Sequence, residues 1–341
     1  MNKKICISGY YGFDNFGDET ILKILVDNLK TFIELSDITV FSANPKKTSE
    51  TLEVRSIHTF NPFLVLSAIF KTDYLISGGG SLLQDKTSIK SLIYYLSVFI
   101  AAFLSGKKVI IFAQGIGPIN NIILKNLTLF LLKKALYITV RDEESFKLLS
   151  DYGIKNVEKC SDPAWNITVK KSEKKGRIGV QLRDFPLITN DFLLKLAQNI
   201  NKYYSDKEIY ILSLQNNIDL DVCRNLEYYL KEINSKINVK IVENTSNNKV
   251  ITDLCNLEAL IAMRYHACLI GVKAGIKVLP INYDIKIKAL ANDFNLICIN
   301  SENDIDEKFN IFVKSDFIYN EIKIKTKKFD FTKLKNVLMN I

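Results

Sequence analysis

Two histidines are all the imidazole in 341 residues, and the six cysteines include no C-x-x-C pair. Cys6, Cys160, Cys223, Cys255, Cys268 and Cys298 are scattered among mostly apolar neighbours. That spacing excludes a disulfide framework and a zinc site and predicts reduced core thiols of a cytosolic protein. Neither G-x-x-x-x-G-K-[ST] nor G-x-G-x-x-G occurs, and no acidic residue closes the strand "DITVFSA". A P-loop and a dinucleotide fingerprint are therefore absent. Zinc-finger spacing and an aromatic-studded RNA-binding strand are missing too, so no nucleic-acid partner is expected. The uncharged stretch "SLIYYLSVFIAAFLSG" (91–106) falls short of the ~18–20 residues of a membrane span. It is expected as a buried helix, with an interfacial helix dipping into lipid as the alternative. "MNKKICISGYYG" has no apolar run and cleavage site of a signal peptide, so export is not expected.

What is present is an ordinary globular composition, 48% apolar and 24% charged, in a chain longer than one core supports. The formal charge of +9 is spread through lysine-rich patches such as 169–177 and 323–330. It suits a solvated surface or attraction to an anionic membrane or substrate. In the first half, short apolar runs alternate with amphipathic segments: "KICISG", "DITVFSA", "YLISGGG", "KVIIFAQGIG" and "YITVRD" read as strands. Helices are expected near 18–30, 91–105 and 121–135. The periodicity lapses at 168–177, a charged linker, and restarts with "RIGVQLRD", "EIYILSL", "NVKIVE", "EALIAMR", "KVLPINYD" and "LICIN". Such alternation predicts an α/β protein of two Rossmann-like halves with parallel sheets. Expected boundaries are 1–168, 177–315 and a C-terminal segment 316–341 packing back on the body.

Three glycine groups fall at strand ends in the first half: Gly9, Gly12 and Gly17; Gly78, Gly79 and Gly80; Gly115 and Gly117. Each allows tight turns or close approach of a ligand to the backbone, at the edge where open α/β sheets bind. Asp18 and Glu19 stand where the first helix begins, as helix-start acids or as site residues. D-x-D spacing at Asp219–Asp221 and Asp304–Asp306 lies in polar helix entries and is not expected to hold metal. His266 opens a helix directly after a strand that ends in Arg264, and Lys286 follows the next strand. Two parallel strands delivering those three residues to one edge make a pocket for a small polyanion with a proton-transfer group inside it. Arg141 ends a strand of the first half; it pairs with Asp142 or Glu144, or clamps a carboxylate or phosphate from the interdomain cleft. His58 is expected on a surface loop.

Eight motifs in order, "GYYGFDNFGDE", "ISGGGSLLQD", "AQGIGP", "RDEES", "SDPAW", "GVQLRD", "MRYHA" and "INYDIK", resemble the polysaccharide pyruvyl transferase family, and within it the CsaB-type branch that modifies secondary cell-wall polymers. The resemblance implies a GT-B-like fold, two Rossmann-like domains whose parallel sheets face a central cleft. It also implies transfer of pyruvate from phosphoenolpyruvate to a terminal N-acetylmannosamine of a lipid-diphosphate-linked precursor, as a 4,6-ketal that later holds S-layer proteins. On that basis Arg141, Arg264 and Lys286 bind phosphoenolpyruvate and His266 is the acid/base. Gly12, Asn15, Gly17, Asp18, Gly79, Gly80, Gln114, Gly115 and Arg183 line the acceptor side or the cleft. The donor is a substrate, and no cofactor or metal is implied. The place of work is the cytoplasm, peripheral at the inner membrane face; oligomeric state stays open. A nucleotide-sugar glycosyltransferase on the same fold and a non-enzymatic basic polyanion-binding protein are the alternatives.

Overall fold

Strands covered on both faces need side chains that are apolar on both faces, and the short Ile/Val/Leu runs of this chain meet that demand. The computed structural model describes residues 3–86, 88–170, 176–316 and 318–340. It divides into two units, Met1–Asn166 with Lys327–Ile341, and Ile167–Thr326. Five residues of the expected linker, 171–175, lie outside the described residues.

The first unit runs β1 (Ile5–Ser8), α1 (Phe16–Leu29), β2 (Ile38–Ser42), α2 (Pro45–Leu52), β3 (Arg55–His58), α3 (Pro62–Lys71), β4 (Tyr74–Ser77), β5 (Gly80–Leu83), α4 (Ile89–Leu104), β6 (Lys108–Ile116), α5 (Ile122–Leu132), β7 (Tyr137–Val140), α6 (Glu143–Asp151) and β8 (Val157–Lys159). Its sheet is parallel in the order β3-β2-β1-β4-β6-β7-β8, with β5 beside β6. One face carries α3 to α6 over Leu75, Val109, Ile111 and Ile138. The other carries α1, over Ile7, Ile76 and Ile110.

The second unit runs β9 (Arg177–Gln181), α7 (Asn190–Tyr204), β10 (Glu208–Ser213), α8 (Asn216–Ile233), β11 (Val239–Glu243), α9 (Asn247–Cys255), β12 (Ala259–Ala262), α10 (Tyr265–Lys273), β13 (Lys277–Pro280), α11 (Ile285–Phe294), α12 (Ile305–Lys314) and α13 (Glu321–Thr326). Its sheet is also parallel, ordered β11-β10-β9-β12-β13. A last helix, α14 (Thr332–Met339), returns to the first unit, where Leu334 and Leu338 are buried and Phe329 packs edge-on to Phe112.

Several expectations are corrected. "LICIN" makes only a single bridge, Ile299 to Ile281. The terminal segment divides: α13 stays with the second unit, where the Tyr319 hydroxyl donates to Ile276 O (2.8 Å) and accepts from Val278 N (3.2 Å). Gly80 opens β5 and Gly115 is the penultimate residue of β6, both at strand ends. His58 ends β3 rather than lying in a loop. All six cysteines are free; four are buried, Cys160 and Cys298 half-buried. Burial pushes the thiols of Cys6, Cys160 and Cys223 up to about 11, 12 and 12, so none is a ready nucleophile.

Candidate active site

In a parallel sheet every crossover leaves the next helix starting at the same edge, so residues just past the strand ends collect there. In the second unit β9, β12 and β13 are neighbours, and past their ends stand Arg183, Arg264 with His266, and Lys286. His266 is the second residue of α10 and Lys286 the second of α11. Both therefore sit where the helix macrodipole is positive. Asp284 caps α11 by accepting from Lys286 N (2.9 Å), while the half-buried His266 ring packs edge-on to Tyr265 at 5.2 Å. Arg183 Nε is buried without a protein hydrogen-bond partner, beside Tyr283. Burial raises the Tyr283 hydroxyl, and the Arg183 charge works against that rise. Phe185, Tyr283, Asp284 and Lys288 line a shallow cavity of ≈ 400 Å³ at this edge.

Arg264 is tied into the second unit. Its Nε and one terminal nitrogen grip both oxygens of Asp219 (2.9 and 2.6 Å), the same terminal nitrogen reaches Gln215 Oε1 (3.2 Å), and its backbone N–H donates to Gln181 Oε1 (2.7 Å). A cation engaged in this way braces the strand-to-helix corner from which α10 and His266 start. Asp219 also accepts from Leu214 N and Gln215 N, so the first D-x-D splits into a buried structural carboxylate and an exposed Asp221 paired with Arg224. In the second, Asp304 accepts from Asn300 N and Ser301 N, and Asp306 from Asn199.

The first unit gathers a second polar edge. Ser8, Ser42, Ser77, Gln114 and Thr139 end or nearly end adjacent strands and are all buried. Gln114 donates to Ser77 Oγ (2.6 Å) and Gly78 O (2.7 Å), while its Oε1 is buried without a protein partner. Asn15 caps α1 through Gly17 N. Gly80, at φ +113°, brings its backbone against Asp18, whose carboxylate oxygen lies 2.7 Å from where a Cβ would stand; an L side chain fits neither the dihedral nor the space. At Gly79 only the space is taken, by Ile21 Cγ2 at 2.7 Å from where a Cβ would stand. The structure thus joins Asn15, Gly17, Asp18, Gly79 and Gly80 at one place. Gly12 is tied to it through Glu19 Oε1, which accepts from Gly12 N at 2.6 Å. Arg141 finds a carboxylate farther along the chain. Its buried guanidinium meets Asp162 at 2.5 Å, because Asp142 is engaged in capping α6.

In the sequence Glu19 reads as a helix-start acid or as a site residue, and nothing there discloses its burial. Burial, helped by Asp18 and Asp14 and opposed by the Gly12 N–H and Lys47, pushes its carboxyl up to about 7. From the ordinary value of 4.5 up to 7 the folded chain holds a proton that the unfolded chain has released, so stability falls as pH rises through that window. Glu19→Gln should erase that slope. Its thermal unfolding should match the parent near pH 5 and exceed it near pH 8, by at most about 3 kcal/mol; parallel curves at both pH values would remove Glu19 as the cause.

Gly78 owes its identity to Tyr11: a Cβ there would lie 1.7 Å from the Tyr11 hydroxyl, which is buried without a protein partner. Gly78→Ala should cost about 1–3 kcal/mol by overpacking. Tyr11→Phe should recover part of that cost in urea unfolding, and a double variant no better than Gly78→Ala would mean the clash lies elsewhere.

No curated protein matches the chain. The profile of the family described as Polysaccharide pyruvyl transferase matches residues 15–285, most of its length. The chain belongs to the polysaccharide pyruvyl transferase family. The matched span opens on Asn15, takes in Arg141, Arg264 and His266, and closes one residue before Lys286. Among solved structures, Staphylococcus aureus MnaA with UDP aligns at TM-score 0.68 and 12% identity over 100% of this chain and 98% of that one. The UDP-GlcNAc 2-epimerase of Methanocaldococcus jannaschii aligns at 0.68 and 12% over 99% and 100%. Anabaena Alr3699/HepE with UDP and glucose aligns at 0.64 and 10% over 100% of both chains. At such identities the likeness concerns fold: the chain is an α/β protein of GT-B-like architecture with two parallel sheets. Among its described residues no helix is long and apolar enough to cross a membrane.

Proposed function

We propose that this polysaccharide pyruvyl transferase uses phosphoenolpyruvate as donor and forms a 4,6-ketal on a terminal N-acetylmannosamine of a lipid-diphosphate-linked cell-wall precursor, the CsaB-type reaction, at the inner face of the membrane. The ketal then serves as the ligand of S-layer proteins. The observation that carries the reading is the placement of His266 and Lys286 at two helix N-termini after adjacent strands, with Arg183 past the third. A donor bearing a phosphate and a carboxylate needs cations and positive dipole ends, and a proton must reach its methylene carbon.

In the proposed sequence His266 protonates that carbon, turning the double bond into an oxocarbenium centre at C2. One sugar hydroxyl adds there and returns its proton to His266; the C2–O bond to phosphate then breaks, and the second hydroxyl closes the ketal as its proton leaves with phosphate. Lys286, Arg183 and the two helix ends stabilise the anionic groups throughout. Arg264 positions His266 through the corner it shares with Asp219 and Gln181. The acceptor is assigned to the first unit's edge formed by Gly12, Asn15, Gly17, Asp18, Gly79, Gly80, Gln114 and Gly115, where Asp162 holds Arg141. The scheme requires no metal or cofactor.

Phosphate release from phosphoenolpyruvate, followed with and without a lipid-diphosphate disaccharide ending in N-acetylmannosamine, tests the reading while mass spectrometry monitors the sugar. One pyruvyl ketal gained per phosphate released is the expected result. Acceptor-independent silence, with thermal stabilisation by UDP-sugars, would favour a glycosyltransferase.

A further inference from the structure

A helix that is apolar all round belongs inside a protein or inside a membrane, and α4 is apolar all round. Its inward side, Leu92, Tyr95, Leu96, Phe99 and Ala102, is buried in the first unit's core. Its outward side presents Ile89, Ile93, Ile100 and Leu104, and the described residues leave that side exposed. Packed on either flank, α3 and α5 extend the same surface: Phe63 of α3 is 82% exposed and Ile123 of α5 73%, with Leu104 at the end of α4 at 84%, values seldom met in large apolar side chains.

Charge around this surface has one sign. The helices α3, α4 and α5 contain no acidic residue, and residues 62–136 hold eight lysines against two aspartates. Lys71, Lys107, Lys133 and Lys134 stand at or just beyond the three helix C-termini, and Lys90 and Lys125 near the N-termini of α4 and α5, so the apolar strip lies between lysines at both ends. Lys107 reaches the carbonyl of Phe70, and Lys134 lies over the Phe130 ring. Tyr94 of α4 stacks edge-on with Phe60, Phe60 meets Phe13, and Phe13 stacks on Tyr10 at 4.2 Å. A continuous aromatic path thereby joins the strip to the "GYYGFDNFGDE" loop.

We propose that the outer face of α3, α4 and α5 docks on an anionic phospholipid bilayer, with the apolar strip at the acyl boundary and the lysines among the headgroup phosphates. A second copy of the chain fits poorly, because an isologous contact would set lysine against lysine. The proposal deepens the reading above, on which its purpose of meeting a lipid-linked acceptor rests; its evidence is the surface alone.

The test is co-sedimentation of the full chain with vesicles of phosphatidylcholine alone or rich in phosphatidylglycerol. Binding is expected to the anionic vesicles only and to weaken with salt. Each of Lys71→Gln, Lys107→Gln and Lys133→Gln should weaken it about fivefold, and Phe63→Ser/Leu104→Ser/Ile123→Ser at least about tenfold. Lys323→Gln/Lys325→Gln, elsewhere in the chain, should change nothing. Failure to bind anionic vesicles, or a dimer that the same serine substitutions dissolve, would overturn the proposal. Phosphate release with a soluble acceptor and no vesicles is measured on the same variants. Turnover kept while vesicle binding is lost supports the surface as separate from the chemistry, and turnover absent in the parent chain as well points to failure of the reaction, not the surface.

Discussion

His266→Ala is expected to lower the turnover of phosphoenolpyruvate-dependent phosphate release by about 10²–10⁴-fold, the range that a positioned general acid contributes. The loss should be chemical. His266 is half-buried in the first turn of α10 and its corner is held by Arg264, Asp219 and Gln181, so the helix keeps its start when the ring is removed. Thermal unfolding should therefore shift little. His266→Gln separates proton transfer from positioning, since the amide can still hydrogen-bond but cannot move a proton. It should fall as far as His266→Ala. Near-parental turnover in His266→Gln would make His266 a positioning residue. Lys286→Met should act on the other parameter: losing one charge-assisted contact of about 1.5–3 kcal/mol raises KM for phosphoenolpyruvate by about 10- to 150-fold.

What the sequence discloses and what it conceals follow one physical line. Strands buried on both faces must be apolar throughout, so "KICISG", "KVIIFAQGIG" and "EIYILSL" are readable as strands, and their order with helices implies parallel sheets before any contact is known. His266 is readable because a strand-to-helix corner is a local event. Partnership is not local. Asp219 lies 45 residues from Arg264 and Asp162 lies 21 from Arg141, and no spacing rule finds either. The nearer acids, Asp142 and Glu144, therefore look like the natural partners of Arg141. Burial is concealed for the same reason: Glu19 and Asp18 are adjacent in the chain, and only the packing around Gly12 sets the Glu19 carboxyl apart. In α4 the periodicity that marks an inward face is missing because both faces are apolar, so the stretch reads as buried when its outer side is exposed.

Asp219→Ala is expected to lower the stability of the second unit by about 3–5 kcal/mol, the cost of stranding one charge of a buried pair. Side-chain exposure is 0% for Asp219 and 11% for Arg264, so little water is available to replace the carboxylate. The guanidinium would keep Gln215 Oε1 as its remaining side-chain acceptor, and the N–H groups of Leu214 and Gln215 would lose theirs at the entry to α8. Urea unfolding reads the loss as a lower midpoint at unchanged slope. A difference below about 1 kcal/mol would place the pair among the weak ones. The double variant Asp219→Leu/Arg264→Met discriminates further: replacing both charges with apolar groups should recover much of the stability lost by Asp219→Ala, because neither ion is left alone. Activity should not recover with it. Without Arg264 gripping Asp219, the corner that aims His266 loses its brace, and turnover should stay depressed in a protein that is folded again.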